Sequence, residues 1–469
     1  MKRIFHFVSI FAFLACTPVD IPNGEDSQTP TQQDTTIVDD KDDLFETPEN
    51  SGSEDQIGMP EQPEQDIDET HYGDYPRVSL KSSIQNIQPM TGIVLWTDNG
   101  RVQSSKEYIQ LEYAYMLYNQ VCKEKDVYDW SPMDRLLEQV AARGHQLVVR
   151  FRYSYVGKSC AVPDYIKAWP GYEKTTGRSE GRDTEFPDWR CEELQRFHLE
   201  FHKRFAERYD NDPRLAFVQT GFGLWAEYHI YDGPMVMGKT FPSKEFQALF
   251  FKEMEKYFKY TTWSISIDAA DSYYSPLEAK PELLNIRFGN FDDSFMHETH
   301  NEYNRDCWLF FGLDRYKQAP CGGEFSYYSD YDQSHCLDKK GMYGRVFEDE
   351  VANYHMTYII GNDQPGYQSM DRIKEASMSM GYSYQILDYR VKGDKAVVCV
   401  ANKGVAPIYR DAYVSVGGHK GEYSLAGLMP GQYEWVLIQG PGVSSEVKPE
   451  IVCEHLVPGQ KIEYDADVE

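Results

Sequence analysis

The feature that most constrains the fold of this chain is an alternation, from about residue 89 onward, between short apolar runs and stretches with helical periodicity. Ser131 and Pro132 are typical of a helix start, as an N-cap and a first-turn proline, and Gly144 is typical of a helix end. The apolar run 146–151 follows at once. Because the helix is joined so closely to the next strand, the pattern predicts a parallel βα unit.

The same unit recurs along the chain. Eight strands are predicted, at residues 92–96, 113–118, 146–151, 215–219, 263–267, 284–288, a run ending in Gly322-Gly323-Glu324, and 354–360. Residues 308–312 are assigned to the long connection after the sixth strand. Eight units in about 300 residues favour an α/β fold of the (β/α)8 TIM-barrel type. A nucleotide-binding doubly wound sheet is disfavoured, because no glycine-rich phosphate motif follows the first strand.

The periodicity changes to two from about residue 388. Short apolar runs at 396–400, 413–416, 433–437 and 450–453 lie between turns rich in glycine and proline. They predict a small C-terminal β-sandwich of about 80 residues. The expected organisation is therefore a barrel at residues 76–387, which would carry the active site, and an accessory sandwich at residues 388–469.

The N-terminus has the features of an export signal. Lys2 and Arg3 precede an apolar run at 4–14, which is far shorter than the roughly 20 residues that span a bilayer. The run ends in Phe13-Leu14-Ala15-Cys16, which predicts a signal at residues 1–16 that is cleaved before Cys16. It resembles a bacterial lipoprotein signal, and this resemblance implies a lipid anchor on Cys16 at the outer membrane or cell surface. Secretion without a lipid is the alternative.

The net charge of −28 is unevenly distributed. Residues 17–75 hold 18 acidic residues and one lysine, or −17, and residues 1–16 carry +2, which leaves −13 on residues 76–469. Segment 17–75 is too poor in apolar residues to offset the entropy of ordering, so it is predicted to be a disordered acidic tether, or else an acidic partner-binding tail. Nucleic acid is excluded as a partner, because phosphate contacts require cations.

Cysteine usage predicts disulfides. Without Cys16 the chain has eight cysteines, an even number in a chain expected to be exported, so up to four disulfides are expected. Proximity in sequence suggests three pairings: Cys160 with Cys191, Cys321 with Cys336, and Cys399 with Cys453. No pair has the spacing of a zinc site, and Asp330-Tyr331-Asp332 lacks the spacing of a calcium loop, so no metal site and no cofactor are expected.

Two glutamates carry the functional prediction. Glu227, in Gly221-Phe-Gly-Leu-Trp-Ala-Glu-Tyr-His229, comes just after the fourth predicted strand, and Glu324 ends the seventh. In a barrel, the ends of the strands face one cleft. Two carboxyl groups facing one cleft are the minimal equipment for cleaving a glycosidic bond. The apolar rings of Trp225 and Tyr228 disfavour a charge on Glu227, which makes it the expected acid/base, with Glu324 as the nucleophile. Either glutamate could instead be an exposed loop residue.

These positions resemble those of (β/α)8 glycoside hydrolases, which keep the acid/base after strand four and the nucleophile at strand seven. Those enzymes usually have asparagine before the first glutamate, whereas this chain has Ala226. A closer similarity is to an uncharacterised, glycosidase-like bacterial family that is known as a domain of unknown function. It rests on the segments 127–131, 223–229, 290–293 and 322–324, and spans nearly all of residues 89–460. The resemblance implies a fold, a site and, with two carboxyls about 5–5.5 Å apart, retention of configuration.

Other polar and aromatic residues at the predicted strand ends are candidates for binding sugar hydroxyls or rings. They are Trp96, Asp98, Arg150, Arg152, Trp225, His229, Asp268, Asn290, Asp292 and Asp293. His229 is also a candidate for orienting Glu227. The sequence thus predicts a lipid-anchored hydrolase with a carbohydrate substrate. A non-catalytic glycan-binding lipoprotein on a degenerate barrel is the main alternative, and a structural or adhesion protein is a third. Protein partners are not predicted.

Overall fold

In a computed structural model of the protein, residues 72–298 and 300–469 are described. The predicted export signal, Cys16 and nearly all of the acidic tether lie outside these residues and stay predictions. Among the helices of the described part, none combines the length and the apolar character that a bilayer crossing requires.

The predicted (β/α)8 barrel is confirmed. Eight parallel strands close in chain order, with Ile360 opposite Val94 where the last strand meets the first. The strands are β1 (Gly92–Trp96), β2 (Leu111–Leu117), β3 (Gln146–Arg152), β4 (Leu215–Gln219), β5 (Thr262–Ser266), β6 (Gly289–Phe295), β7 (Cys321–Phe325) and β8 (Met356–Ile360). Since all of them run in one direction, their C-terminal ends meet at a single face, where the sites of such barrels form.

Helices surround the barrel and bury their apolar faces against it. In the helix Glu192–Tyr209, the apolar residues spaced as the sequence predicted are all buried. The α-helices are Tyr118–Val121, Ser131–Ala141, Asp164–Lys167, Glu192–Tyr209, Lys244–Tyr257, Asn301–Phe311, Asp330–His335, Phe347–Asn353, Gln364–Tyr367 and Met370–Met378. Short 3-10 helices span Ile267–Ala270, Pro281–Asn285, Arg315–Lys317 and Leu425–Gly427, and two hairpins pair Cys122–Glu124 with Val127–Tyr128 and Thr175–Ser179 with Arg182–Phe186.

The sixth strand is not where the sequence analysis placed it. Residues 284–288 precede it, partly in the 3-10 helix Pro281–Asn285, and the strand is Gly289–Phe295. The apolar pattern was misleading because Leu283 and Phe288, in the segment before the strand, are core residues. The strand itself carries polar residues. Residues 308–312, assigned to a connection, lie largely within the helix Asn301–Phe311.

The C-terminal β-rich domain is also confirmed. A five-stranded sheet has the order Leu80–Ser82, Tyr464–Val468, Tyr384–Lys392, Lys395–Asn402 and Tyr433–Gln439. A three-stranded antiparallel sheet has the order His419–Lys420, Ala412–Val416 and Glu450–Cys453. Both sheets contribute to one hydrophobic cluster, which continues into the interior of the barrel. Two sheets that share a core form a sandwich.

The boundary expected between the domains falls inside a strand. Tyr384–Lys392 crosses position 387/388, and Leu80–Ser82, from before the barrel, pairs with the last strand of the chain. Arg410 anchors the second domain to the barrel by donating to the carbonyl oxygens of Asp210 and Leu215, at the N-terminal end of β4. The sandwich therefore contacts the N-terminal end of the barrel, opposite the face at which the strands end.

The proposed disulfides are not present. The eight described cysteines are all free, including the three suggested pairs, and seven of them are buried. Proximity in sequence was a poor guide, because a disulfide needs the two Cα atoms within about 7 Å and the side chains facing each other. These cysteines act instead as small apolar side chains of the core.

Candidate active site

The loop after β4 is folded tightly so that Glu227 returns to the end of the barrel. A Cβ atom on Gly221 would lie 2.3 Å from the carbonyl oxygen of Ala226, and one on Gly223 would lie 1.7 Å from that of His229. Only glycine allows two backbone segments to approach so closely. The glycines that flank Glu227 in the sequence are therefore required by the path of this loop.

The residues just before Glu227 adopt an unusual backbone conformation. Trp225 and Ala226 have φ angles of 51° and 58°, in the left-handed region that L-residues rarely occupy. The backbone N–H groups of Phe222 and Gly223 donate to the carbonyl oxygen of Glu227 at 3.2 and 2.8 Å. Such conformations persist where the surrounding contacts enforce them, and they are frequent at functional sites.

Glu324 lies near the C-terminal end of β7. A Cβ atom on Gly322 would lie 2.3 Å from the ring of Tyr358, which fills the barrel interior. Side chains two positions apart on a strand share a face, so Glu324 is directed to the same interior side, one layer nearer the open end. Burial raises the pKa of the Glu324 carboxyl to about 8, against the opposing charge of Arg150 and with a further contribution from Glu227.

Arg150 on β3 connects the interior to the β4 loop. Its guanidinium donates from Nη1 to Oε1 of Glu227 at 2.9 Å, and from Nε and Nη2 to Oε1 of Gln219 at 2.9 and 2.6 Å. The amide of Gln219 donates to the hydroxyl of Tyr358 at 2.8 Å, and the Phe291 ring lies 4.1 Å from the guanidinium carbon. Glu227 is thus a buried ion-pair partner, whereas the sequence analysis expected purely apolar surroundings.

His229 is placed between three carboxyl groups. Its Nδ1 atom lies 3.0 Å from Oδ1 of Asp268, and its Nε2 atom lies 3.4 Å from Oε2 of Glu227 and 4.0 Å from Oδ2 of Asp293. Burial disfavours a charge on the imidazole, but Asp268 and the other carboxylates outweigh it and raise the pKa of His229 well above its ordinary value. The sequence analysis named His229 as a candidate for orienting Glu227, and this role stays a prediction.

The pKa values of the two aspartates beside His229, Asp268 and Asp293, are shifted in opposite directions. Burial raises the pKa of Asp268, but the charge of His229 outweighs it, so the pKa lies below its ordinary value. Burial, with the charges of Asp268 and Glu227, raises the pKa of Asp293 well above its ordinary value. His229 and Asp268 therefore form a charged pair, next to which Asp293 is the carboxyl more readily protonated.

Two predicted binding residues do not face the cleft. Asp292 accepts from Nδ2 of Asn304 at 2.9 Å and from the indole of Trp308 at 3.3 Å, so it is directed at the surrounding helix, and burial raises its pKa to about 7. Asn290 lies two positions earlier on the same face of β6, fully buried. Both belong to the layer between strand and helix, because the neighbouring Phe291 is the residue that points into the barrel.

The other predicted residues lie near the open end in varied settings. Trp96 is partly buried, with its ring 5.3 Å from that of Tyr113, and Asp98 is exposed beyond β1. The guanidinium of Arg152 lies over the ring of Tyr155 at 4.4 Å. Trp225 stacks on Tyr231 with the ring centres 5.6 Å apart. No contact links Asp98 to the two glutamates.

Three residues of the site were missed from the sequence: Gln219, Tyr115 and Tyr358. Gln219 is the one polar residue in the apolar run 215–219, and this was a signal that it has a buried partner. The hydroxyl of Tyr115 accepts from Arg150 at 3.3 Å. The tyrosines gave no such signal, because tyrosine is common in this chain.

No protein-family model matches the chain, so the resemblance to an uncharacterised family stays a prediction, and no curated protein matches it in sequence. Solved structures with a similar architecture include the catalytic domain of β-amylase from Paenibacillus polymyxa, at 9% identity and a TM-score of 0.39 over 62% of this chain and 99% of that one. A glycoside hydrolase family 30 subfamily 8 xylanase from Clostridium acetobutylicum has 11% identity and a TM-score of 0.35, over 77% and 99% of the two chains. The α-galactosidase of Thermus thermophilus has 10% identity and a TM-score of 0.36, over 68% and 66%. Likenesses with TM-scores this low do not assign an activity, which depends on the side chains described above.

Proposed function

We propose that the protein is a glycoside hydrolase that acts on a poly- or oligosaccharide, with Glu227 and Glu324 as the reacting carboxyl groups. One observation carries the proposal. The two glutamates share the C-terminal end of one barrel and the charge of Arg150, but only Glu227 contacts the guanidinium, whereas burial raises the pKa of Glu324. Cleavage of a glycosidic bond requires one protonated and one ionised carboxyl group. Two side chains therefore supply the reaction, and no cofactor is needed.

The surroundings favour an exchange of the roles expected from the sequence. Glu324, with a pKa of about 8, holds a proton at neutral pH and is suited to protonate the leaving oxygen. Glu227, paired with the guanidinium of Arg150, is suited to act as the carboxylate at the anomeric centre. If the two carboxyl groups close to about 5–5.5 Å around the substrate, the configuration is retained. The anomer formed first, followed by NMR, reports on this step.

Leaving-group dependence distinguishes the two role assignments. A substrate with an activated aryl leaving group departs without protonation, so loss of the acid matters little for it. With Glu324 as the acid, Glu324→Gln keeps most of the rate of aryl release in the first turnover, and Glu227→Gln does not. The reverse result would support the roles expected from the sequence, with Glu227 as the acid/base and Glu324 as the nucleophile.

Exposed tyrosines support a carbohydrate ligand. Aromatic rings with an apolar face and a polar edge are suited to wet, amphipathic ligands such as sugars. Exposed tyrosines on the segments that follow β4 to β7 include Tyr231, Tyr273, Tyr303, Tyr327 and Tyr328. Tyr327 lies within electrostatic range of Glu324, and Tyr328 within range of Asp293 and Glu227. The rings of Tyr327 and Tyr328 therefore border the proposed reaction centre.

We also propose that the protein is held at the bacterial cell surface by a lipid on Cys16, as the sequence predicts. Incorporation of a labelled fatty acid into the wild type, but not into Cys16→Ala, is the expected result. Export of an unlabelled wild type would support plain secretion instead.

A release assay tests the activity. Diverse glycans are incubated with the protein, and new reducing ends are measured for the wild type, Glu227→Gln and Glu324→Gln. We expect each variant to lose about 10²–10⁴-fold in rate on natural glycans, the range typical of acid–base groups. Glu278→Gln, an exposed residue after β5, is the matched control and should match the wild type. Release that survives in both active-site variants would refute the proposal, and binding without release would support the glycan-binding alternative.

A further inference from the structure

Three side chains at the end of the barrel direct ligand atoms at one small volume. Oε2 of Glu227, Nε2 of His229 and Oδ2 of Asp293 lie within 4.8 Å of one another. The imidazole nitrogen is 3.4 Å from the first oxygen and 4.0 Å from the second. Ligand atoms about 2.1 Å from a tetrahedral zinc ion are about 3.4 Å apart. Small side-chain rotations would therefore bring all three to coordination distance.

Two of these atoms are buried without a hydrogen bond among the described residues. They are Oε2 of Glu227, on a side chain only 5% exposed, and Nε2 of His229. A buried polar atom that lacks a partner costs free energy, most of all when it belongs to a charged group. The other oxygen of Glu227 is already held by Arg150, so Oε2, which lies 3.4 Å from Nε2 of His229, is the oxygen available to a ligand.

The surroundings have the two other features of a metal centre. Asp268 holds Nδ1 of His229 at 3.0 Å and so directs Nε2 at the cluster, as carboxylates do behind metal-bound histidines. Four carboxyl groups, those of Glu227, Asp268, Asp293 and Glu324, meet around one arginine and one histidine. A divalent cation would replace the protons held by His229 and Asp293, so that its binding releases protons.

We propose that Glu227, His229 and Asp293 form a binding site for a divalent transition-metal ion of the Zn²⁺ class, with Asp268 as the residue that orients His229. A nitrogen ligand with two carboxylates suits Zn²⁺ or Mn²⁺ better than Ca²⁺ or Mg²⁺, which prefer all-oxygen shells. The side chain of Asp293 is 23% exposed, so the ion enters from the cleft and keeps a coordination position open to it.

This site goes beyond the proposed hydrolysis and is tested without it. A bound ion would engage Oε2 of Glu227, the carboxylate proposed to react, so the metal-bound form and the hydrolytic form exclude each other. Metal binding is measured directly, and its outcome is therefore independent of whether any glycan is cleaved.

Calorimetric titration of the metal-stripped full chain with Zn²⁺ is the test. We expect one ion per chain, with Mg²⁺ and Ca²⁺ failing to compete. His229→Gln and Asp293→Asn should abolish that site, and Asp268→Asn should weaken it by about 10–100-fold, the effect typical of residues that orient a metal ligand. Titration with Co²⁺ gives an independent readout, since its visible absorption would show nitrogen and oxygen ligation in the wild type only.

Controls separate loss of the site from loss of the fold. His419→Gln, in the C-terminal domain, should bind Zn²⁺ like the wild type, and thermal unfolding of each variant verifies that it is folded. The proposal is overturned if the wild type takes up no stoichiometric Zn²⁺. It is equally overturned if folded His229→Gln and Asp293→Asn bind as the wild type does, because the ion would then be held elsewhere, for example by the free cysteines.

Discussion

Arg150 on β3 and Glu227 after β4 form a buried ion pair, with Nη1 and Oε1 2.9 Å apart and side-chain exposures of 1% and 5%. The arginine is also held by Gln219 and lies over Phe291, so its position is set by three different strands. This pair gives Glu227 a counter-charge that Glu324 lacks at contact distance. The contrast between the two glutamates, on which the proposed reaction depends, follows from this pair together with the burial of Glu324.

Loss of Arg150 should destabilise the fold. Arg150→Met leaves the carboxylate of Glu227 buried without its partner, which costs about 3–5 kcal/mol in comparable pairs. Urea unfolding measures the change. Arg178→Met, which removes the exposed pair with Asp183, is the matched control and should stay within about 1 kcal/mol of the wild type. Equal losses in the two variants would contradict the importance of the buried pair.

Gly223 should tolerate no side chain. A Cβ atom there would lie 1.7 Å from the carbonyl oxygen of His229, so Gly223→Ala must displace the loop that carries Glu227. We expect a loss of at least about 1–3 kcal/mol in stability, the usual cost of overpacking, together with loss of glycan cleavage. Gly100→Ala, in the loop after β1, meets no atom within 4 Å and should be neutral in both assays. A neutral Gly223→Ala would show that the loop has another path.

Glu324 should make stability depend on pH. Its native pKa of about 8 lies above the value of about 4.3 in an unfolded chain, so the folded state binds the proton more tightly. The stabilisation is complete below about pH 4 and is lost as the pH rises through 8, by up to about 1.4 kcal/mol per pH unit. Melting curves from pH 4 to 9 should therefore show that the melting temperature of Glu324→Gln rises relative to that of the wild type as the pH rises. Parallel curves would contradict the raised pKa.

The rate of hydrolysis should fall on the alkaline side. If Glu324 is the acid, the free enzyme loses activity as the pH rises through about 8, because the proton needed by the leaving group is gone. The pH profile of kcat/KM on an unactivated glycan measures this. An activated aryl glycoside should show a much weaker alkaline fall. A profile that is still rising at pH 9 on both substrates would assign the proton to another group.

Local patterns were sufficient for the architecture and for the positions of the two glutamates. Apolar runs separated by segments of helical periodicity predicted seven of the eight strands. The glycines near Glu227 and Glu324 indicated where two of the strands end. The sixth strand was misplaced because residues 289–295 include the buried polar residues Asn290 and Asp292, which no apolar pattern reveals. Burial of those groups depends on the helix Asn301–Phe311, whose Asn304 and Trp308 bind Asp292.

The chemistry of the site, in contrast, depends on contacts that no local stretch contains. Arg150 meets Glu227 across 77 positions, and Asp268 meets His229 from the segment after β5. Charges in a buried site act over several ångströms, and their effect depends on which partner each group meets and how much water remains. For that reason the residue types at the strand ends predicted two reactive carboxyls, whereas only the folded surroundings raise the pKa of Glu324 and pair Glu227 with Arg150.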